Sequence, residues 1–197
     1  MYVRAMRLLL LARHGQSLFN VAGVVNGDPA LDRGLSPQGV DEARKLGGQI
    51  AGVAIDLCVV SAFPRAQETA RLALEGRDGI PWEIDPELND LRVGELEGRR
   101  IADYRDWKHA HARDEPFPGG ESLDEAARRY ARAYGRLLRH DADTIFCVCH
   151  ELPIRYAVNA AGGSDELDAP LHDVANATPY AFDAAALRRA IERLARS

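Results

Sequence analysis

Five short apolar runs punctuate the chain: Arg7–Ala12, Ile55–Val60, Trp82–Ile84, Thr144–Cys149 and Tyr180–Phe182. Their length suits strands, and polar, helix-forming stretches separate them. Ser36-Pro37-Gln38 reads as an N-cap with proline at the first helical position, opening a helix to about Ala51. Pro64 opens a second, to about Leu74, and Ser122-Leu123-Asp124-Glu125 is a capping box before a helix to about His140. Pro153 begins another, to about Ala161, and Ala184 a terminal one. Strands alternating with helices predict an α/β fold, a three-layer α/β/α arrangement with a mainly parallel central sheet. No repeat, low-complexity tract or linker interrupts residues 1–197, which predicts one domain. Residues 98–121 are the least regular part, rich in charge and aromatics, and read as a small insertion near the mouth of a site. Trp107 and Phe117 are expected to form its core or line a cavity.

Three of the predicted strands end in polar residues. The first runs into Arg13-His14-Gly15, the second into Ser61 four residues before Arg65, and the fourth into His150. Alone, a histidine after a strand is an ordinary turn residue, and an arginine on a helix is an ordinary solvated one. In open parallel sheets, however, ligands bind beyond the carboxyl ends of the strands. Two histidines and two arginines, distant in sequence, are therefore expected to meet at one edge.

Composition narrows the classes of function. A net charge of -5 over 197 residues gives no global support for nucleic-acid binding. Leu8 to Ala12 is too short for a membrane span or a signal core, and the ends, MYVR and LARS, carry no lipidation signal. A cytoplasmic protein without membrane attachment is expected. Cys58, Cys147 and Cys149 lack C-x-x-C spacing and read as buried free thiols rather than disulfide or zinc ligands. His109 and His111 are two apart, a spacing that faces apart on a helix, so no metal is assigned to them.

Arg13 to Asn20, R-H-G-Q-S-x-x-N, resembles the signature of the histidine phosphatase superfamily, which includes the phosphoglycerate mutases. Ser61 to Ala70 resembles its second motif, Pro118-Gly119-Gly120-Glu121-Ser122 its PGGES segment, and His150 with Pro153-Ile154-Arg155 its H-G-x-x-I-R motif. Four segments in the family's order span residues 7 to about 180. The resemblance implies the phosphoglycerate mutase-like fold and a phosphohistidine mechanism without metal or cofactor. His14 would be the nucleophile, with Arg13, Arg65 and His150 around the equatorial oxygens. Gly15 would let backbone approach the phosphate, and Asn20 would donate a neutral hydrogen bond. Gln16, Ser17 and Asn26 are expected at the mouth, and Asn176-Ala177-Thr178 is similar to a late segment near the pocket.

Two positions depart from the pattern. Asp90 falls where the family carries its acid, one methylene shorter than glutamate, with Glu95 and Glu97 as alternatives. Glu151 stands where the family usually has glycine. Pointing inward, its carboxylate would favour a protonated His150; pointing outward, it would only begin a helix, and the outward reading is preferred. The acid segment, Asp90-Leu91-Arg92-Val93-Gly94, lacks the histidine and tyrosine of the mutases' E-R-H-Y-G. The expected function is a phosphomonoesterase acting on a small phosphorylated metabolite, as monomer or homodimer. Phosphoglycerate mutase is the first alternative, and a non-catalytic phospho-ligand-binding protein the second.

Overall fold

The computed structural model describes residues 6–197; the MYVR terminus inspected for processing signals lies outside them. Five strands form one sheet: β1 (Leu8–Arg13), β2 (Leu57–Val60), β3 (Trp82–Ile84), β4 (Thr144–Cys149) and β5 (Pro179–Asp183). Their order is β3-β2-β4-β1-β5. All pairings are parallel except β1 with β5. Every expected strand is present with ends shifted by no more than two residues.

Alternation along the strands builds two cores. Leu9 and Leu11 of β1, with Ile145 and Cys147 of β4, pack toward α5 (Leu123–Arg139), α6 (Glu151–Ala161) and α7 (Ala184–Leu194). Leu10 and Ala12, with Phe146 and Val148, face α2 (Pro37–Gln49) and α3 (Pro64–Ala73). The sheet is thus covered on both faces, as parallel sheets require. Cys58, Cys147 and Cys149 are buried free thiols inside these strands.

Register aligns the strand ends that matter. Arg13 lies opposite Cys149, and Val60 opposite Val148. The residues that follow, His14, Ser61 and His150, therefore leave the sheet side by side. His14 is pinned further: its amide donates to Cys149 O at 3.0 Å, and Asn176 Nδ2 donates to its carbonyl at 2.7 Å. The next residue, Ala177, holds a left-handed φ of 45°, uncommon for a residue with a Cβ.

Two sequence expectations are corrected, and one short helix is new. Residues 98–121 are not irregular throughout: Ile101–Ala110 form a helix, α4, over the strand ends. Its inner face is divided between the cavity, which Ile101 and Lys108 border, and the core, against which Tyr104 and Trp107 pack. Trp107 and Phe117 are nevertheless core, stacked with centroids 4.0 Å apart, and Phe117 is buried. Helix α6 begins at Glu151, two residues before Pro153, because first-turn amides have no intrahelical acceptor and proline loses nothing there. A short helix, α1 (Leu18–Ala22), follows the first motif, closed by a reciprocal cap between Ser17 and Asn20.

Gly15 also differs from its expected role. A Cβ there would stand 2.4 Å from Gly39 O, and one on Gly39 would stand 2.0 Å from Gln16 O. The glycine pair lets the head of α2 lie directly on the turn that carries His14. Gln16 reinforces this, accepting from Ser36 Oγ at 2.8 Å and donating its amide to Glu42 Oε2 at 2.8 Å. It anchors α2 rather than lining the mouth.

Gly39→Ala is expected to cost about 1–3 kcal/mol through overpacking, roughly 2–4 °C in Tm per kcal/mol at this chain length. Gly48→Ala, in the same helix with nothing within 4 Å of the added Cβ, is expected to leave Tm unchanged or raise it. Thermal unfolding of the two variants checks the close approach; equal Tm values contradict it.

Candidate active site

A cavity of about 670 Å³ opens over the strand ends. Arg13, His14, Ser17, Asn20, Asn26, Arg65, Asp90 and Glu151 border it, with α4 and the segment around Asp168 on the far side. The two histidines predicted from strand ends are neighbours here, ring centroids 5.3 Å apart. Both are buried.

Arg65 binds them together. Its Nε donates to His14 Nε2 at 3.1 Å, and its Nη2 lies 3.3 Å from His150 Nδ1. Nη1 donates to Asn26 Oδ1 at 2.5 Å and stands 3.3 Å from Asp32 Oδ1. Nη2 reaches Asp90 Oδ2 at 3.4 Å. The guanidinium lies over the Phe63 ring, 4.1 Å from its centroid.

The hydrogen bonds assign the histidine tautomers. His14 Nδ1 donates to Gly15 O at 2.7 Å, so Nε2 carries the lone pair that Arg65 caps. His150 accepts from Arg65 on Nδ1, leaving Nε2 to donate to Ser61 Oγ at 2.8 Å. Burial, then the charges of Arg65 and Arg13, hold His14 well below the ordinary 6.5, against the opposing Gly15 hydrogen bond. Burial, then Arg65, His14 and Arg13, lower His150 likewise. Both rings are neutral near pH 7. A neutral imidazole with an accessible lone pair, facing guanidinium donors, can attack an electrophilic phosphorus.

Asp90 lies where the first motif and the third strand converge, 3.6 Å from His150 Nδ1. Its alternatives are elsewhere. Glu97 accepts from Asn26 Nδ2 at 2.9 Å and Gly27 N at 2.7 Å, bracing the loop that holds Arg65. Glu95 is exposed outside the cavity. Asn20 lines the cavity, but its Oδ1 accepts from the Ser17 amide at 3.0 Å, leaving only Nδ2 for a ligand. Glu151 turns inward, against the preferred reading: Oε2 is 3.0 Å from Arg13 Nη1 and Oε1 3.1 Å from Arg155 Nη1. Its oxygens pair with the two arginines, and His150 stays neutral. Arg13 is further fixed by donating to Val174 O at 2.7 Å.

Four residues escaped the sequence reading. Asp32 gives Arg65 a buried carboxylate and accepts the Arg65 amide at 2.7 Å. No local pattern around Asp32 distinguishes it from a turn residue. Thr69 was within reach of sequence, one turn after Arg65: its Oγ1 accepts from Gly15 N at 3.0 Å and donates to Arg65 O at 2.7 Å. Arg129 and Glu121 pair through a 2.5 Å contact and grip the Asp90 segment, Arg129 donating to the carbonyls of Glu87, Asn89 and Asp90. Among the described residues, no cluster of three or more His, Cys, Asp or Glu could hold a metal ion, and no helix is long and apolar enough to cross a membrane.

The sequence profile of the histidine phosphatase superfamily (branch 1) matches residues 9–196. A 2,3-bisphosphoglycerate-dependent phosphoglycerate mutase from Methylobacterium sp. (strain 4-46) is 40% identical over 136 residues, covering 62% of this chain and 64% of that protein. The chain spans a little under two thirds of the length of the curated relatives it matches. Among solved structures, a putative alpha-ribazole-5'-P phosphatase from Escherichia coli str. K-12 substr. MG1655 superposes with TM-score 0.79 at 29% identity, covering 90% of each chain. A mycobacterial glucosyl-3-phosphoglycerate phosphatase does so with TM-score 0.72 at 25% identity, covering 89% of this chain and 92% of the other.

The lowered histidines give stability a pH dependence of definite sign. Below about 6.5 the unfolded chain protonates His14 and His150 while the folded protein does not. The unfolded state then binds more protons, so stability falls as pH drops below that value and is flat in these groups above it. The slope is at most about 1.4 kcal/mol per pH unit for each histidine. Urea unfolding between pH 7.5 and 5 is expected to show this loss, and His150→Asn is expected to flatten it. Equal slopes for the two proteins contradict the assignment.

Proposed function

The chain belongs to the histidine phosphatase superfamily (branch 1), and within that family we propose that it is a phosphomonoesterase that works through a phosphohistidine on His14. The observation that carries this reading is the single guanidinium of Arg65, which touches His14 Nε2, His150 Nδ1 and Asp90 Oδ2 at once. The proposed nucleophile, clamp and acid thus share one side chain.

In the resting site Arg65 Nε caps the lone pair that must attack. A phosphoryl group entering between Arg13, Arg65 and His150 offers oxygens as better acceptors, drawing the guanidinium off Nε2. His14 Nε2 then attacks phosphorus in line, and the P–O ester bond breaks as the P–N bond forms. Protonated Asp90 gives its proton to the leaving oxygen. The Nδ1–H bond to Gly15 O shares the charge that develops on the imidazole. In the second half a water attacks phosphorus, Asp90 takes its proton, and the P–N bond breaks. Inorganic phosphate leaves, with His14 neutral and Asp90 protonated again. Arginine donors supply the charge stabilisation throughout.

Hydrolysis rather than mutation is supported by the acid segment, Asp90-Leu91-Arg92-Val93-Gly94, which lacks the histidine and tyrosine of the mutases' E-R-H-Y-G. Identity to phosphoglycerate mutase favours the other reading, and incubation with 3-phosphoglycerate tests it: formation of the 2-phospho isomer would replace phosphatase with mutase. His14→Ala is expected to abolish both turnover of p-nitrophenyl phosphate and the phosphoenzyme detected by intact-protein mass spectrometry after rapid quench. Near wild-type turnover in that variant removes His14 from the mechanism.

Asp90→Asn is expected to slow phosphoenzyme formation by about 10²–10⁴-fold for alkyl phosphates. It should matter far less for p-nitrophenyl phosphate, whose phenolate leaves without a proton. Glu97→Gln is expected to show no such leaving-group contrast. If Asp90→Asn slows both substrates alike, Asp90 is not the acid.

A further inference from the structure

Four hydrogen bonds around His14 close into a ring. Arg65 Nε donates to His14 Nε2 at 3.1 Å, and His14 Nδ1 donates to Gly15 O at 2.7 Å. Gly15 N donates to Thr69 Oγ1 at 3.0 Å, and Thr69 Oγ1 donates to Arg65 O at 2.7 Å. Each member gives to the next, so the bonds polarise one another around the circuit. A flipped tautomer of His14, with its proton on Nε2, would break the ring at two places: two donors would meet at Arg65 and two acceptors at Gly15 O. A substrate phosphoryl group that draws Arg65 away leaves only the Gly15 side to hold the tautomer. That side depends on the His14–Gly15 peptide, whose carbonyl accepts from Asn176 Nδ2 at 2.7 Å and whose amide is held by Thr69. Gly15 and Thr69 are both buried, so bulk water does not stand in for the hydroxyl.

We propose that Thr69 is a positioning residue for the nucleophile: its hydroxyl holds the Gly15 amide, keeps Gly15 O against His14 Nδ1, and so maintains the tautomer that presents a lone pair at Nε2. The inference rests on the phosphohistidine reading of His14. A threonine that bonds back to its own helix is ordinary. What sets Thr69 apart is its second bond, made across to the turn after β1. Helix α3 thereby carries both ends of the ring, the Arg65 side chain in front of the imidazole and Thr69 on the backbone behind it, one helical turn apart. Valine at position 69 fills much the same space without the oxygen. The Gly15 amide is then left buried with no acceptor. The turn relieves this by rotating the peptide, which carries Gly15 O off Nδ1.

Nitrogen NMR of protein carrying isotopically labelled histidine reads the tautomer of each neutral ring without substrate, and loss of a signal in His14→Asn identifies His14 among the six histidines. Wild-type His14 is expected to show a protonated Nδ1 and an unprotonated Nε2; the reverse pattern overturns the proposal at the outset. Thr69→Val is expected to mix the two tautomers. It is also expected to slow phosphoenzyme formation from p-nitrophenyl phosphate, followed by rapid quench, by about 10–10²-fold with little change in KM. Thr69→Ser, which keeps the oxygen, is expected to restore both readouts. If Thr69 only supports the fold, Thr69→Val unfolds at a lower temperature with the wild-type tautomer and rate, which overturns the proposal. A change in one readout without the other overturns it as well. Should Thr69→Val fail to fold, Thr69→Cys places a weaker acceptor in the same space and is judged by the same two readouts. Absence of a phosphoenzyme in the wild-type protein sinks the phosphohistidine reading and this one with it, while an unchanged tautomer in Thr69→Val with the phosphoenzyme formed normally sinks this one alone.

Discussion

A guanidinium with 3% of its side chain exposed cannot be left uncompensated, and the loops around Arg65 are arranged by that requirement. Burying one charge costs several kcal/mol even after relaxation, and is tolerated only with counter-charge and filled donors. Asp32 supplies the buried carboxylate, Asp90 a carboxyl oxygen, Asn26 both its side-chain and main-chain oxygens, and Phe63 its ring face. These come from the loops after β1, β2 and β3, while His150 comes from the end of β4. One side chain thus ties four strand ends together before any substrate arrives.

The same burial sets the state of the histidines. A cation at 3.1 Å from one ring and 3.3 Å from the other makes a second positive charge unfavourable on either. Neutral imidazoles are what the proposed nucleophile and its hydrogen-bonding partner need, so structural compensation and the proposed chemistry have one cause. Electrostatic preorganisation of this kind avoids reorganisation at the moment of reaction.

The sheet was legible because its strands are short apolar runs between well-marked caps, and backbone periodicity records that locally. His14, Arg65 and His150 were legible because parallel topology sends the strand ends to one edge. What escaped depends on side-chain partners that only the folded chain brings near. Gly15 reads as phosphate clearance until Gly39 is seen against it, and Gln16 as a mouth residue until Ser36 is seen donating to its side chain. Glu151 reads as a helix-starting acid until Arg13 and Arg155 flank it. Asp32 offers no periodicity at all, since its role is to be the counter-charge of a residue 33 positions away.

The segment bearing Asp90 shows how an irregular stretch is given a fixed geometry. It has no ladder of its own, so its carbonyls need donors from elsewhere. Arg129 supplies them, donating to Glu87 O at 2.7 Å, Asn89 O at 2.9 Å and Asp90 O at 3.2 Å. Glu121 receives the Arg92 amide at 3.0 Å and neutralises Arg129. Glu121 is itself placed by the turn before α5, where Gly94 and Gly120 allow the two backbones to meet: a Cβ on Gly94 would fall 2.1 Å from Pro118 O. The PGGES segment is therefore a clamp on the proposed acid rather than a part of the phosphate pocket. A shorter carboxylate demands such a clamp, because aspartate has one fewer torsion with which to correct a misplaced backbone, and the carbonyls on either side of it are held by a buried ion pair anchored in a helix of 17 residues.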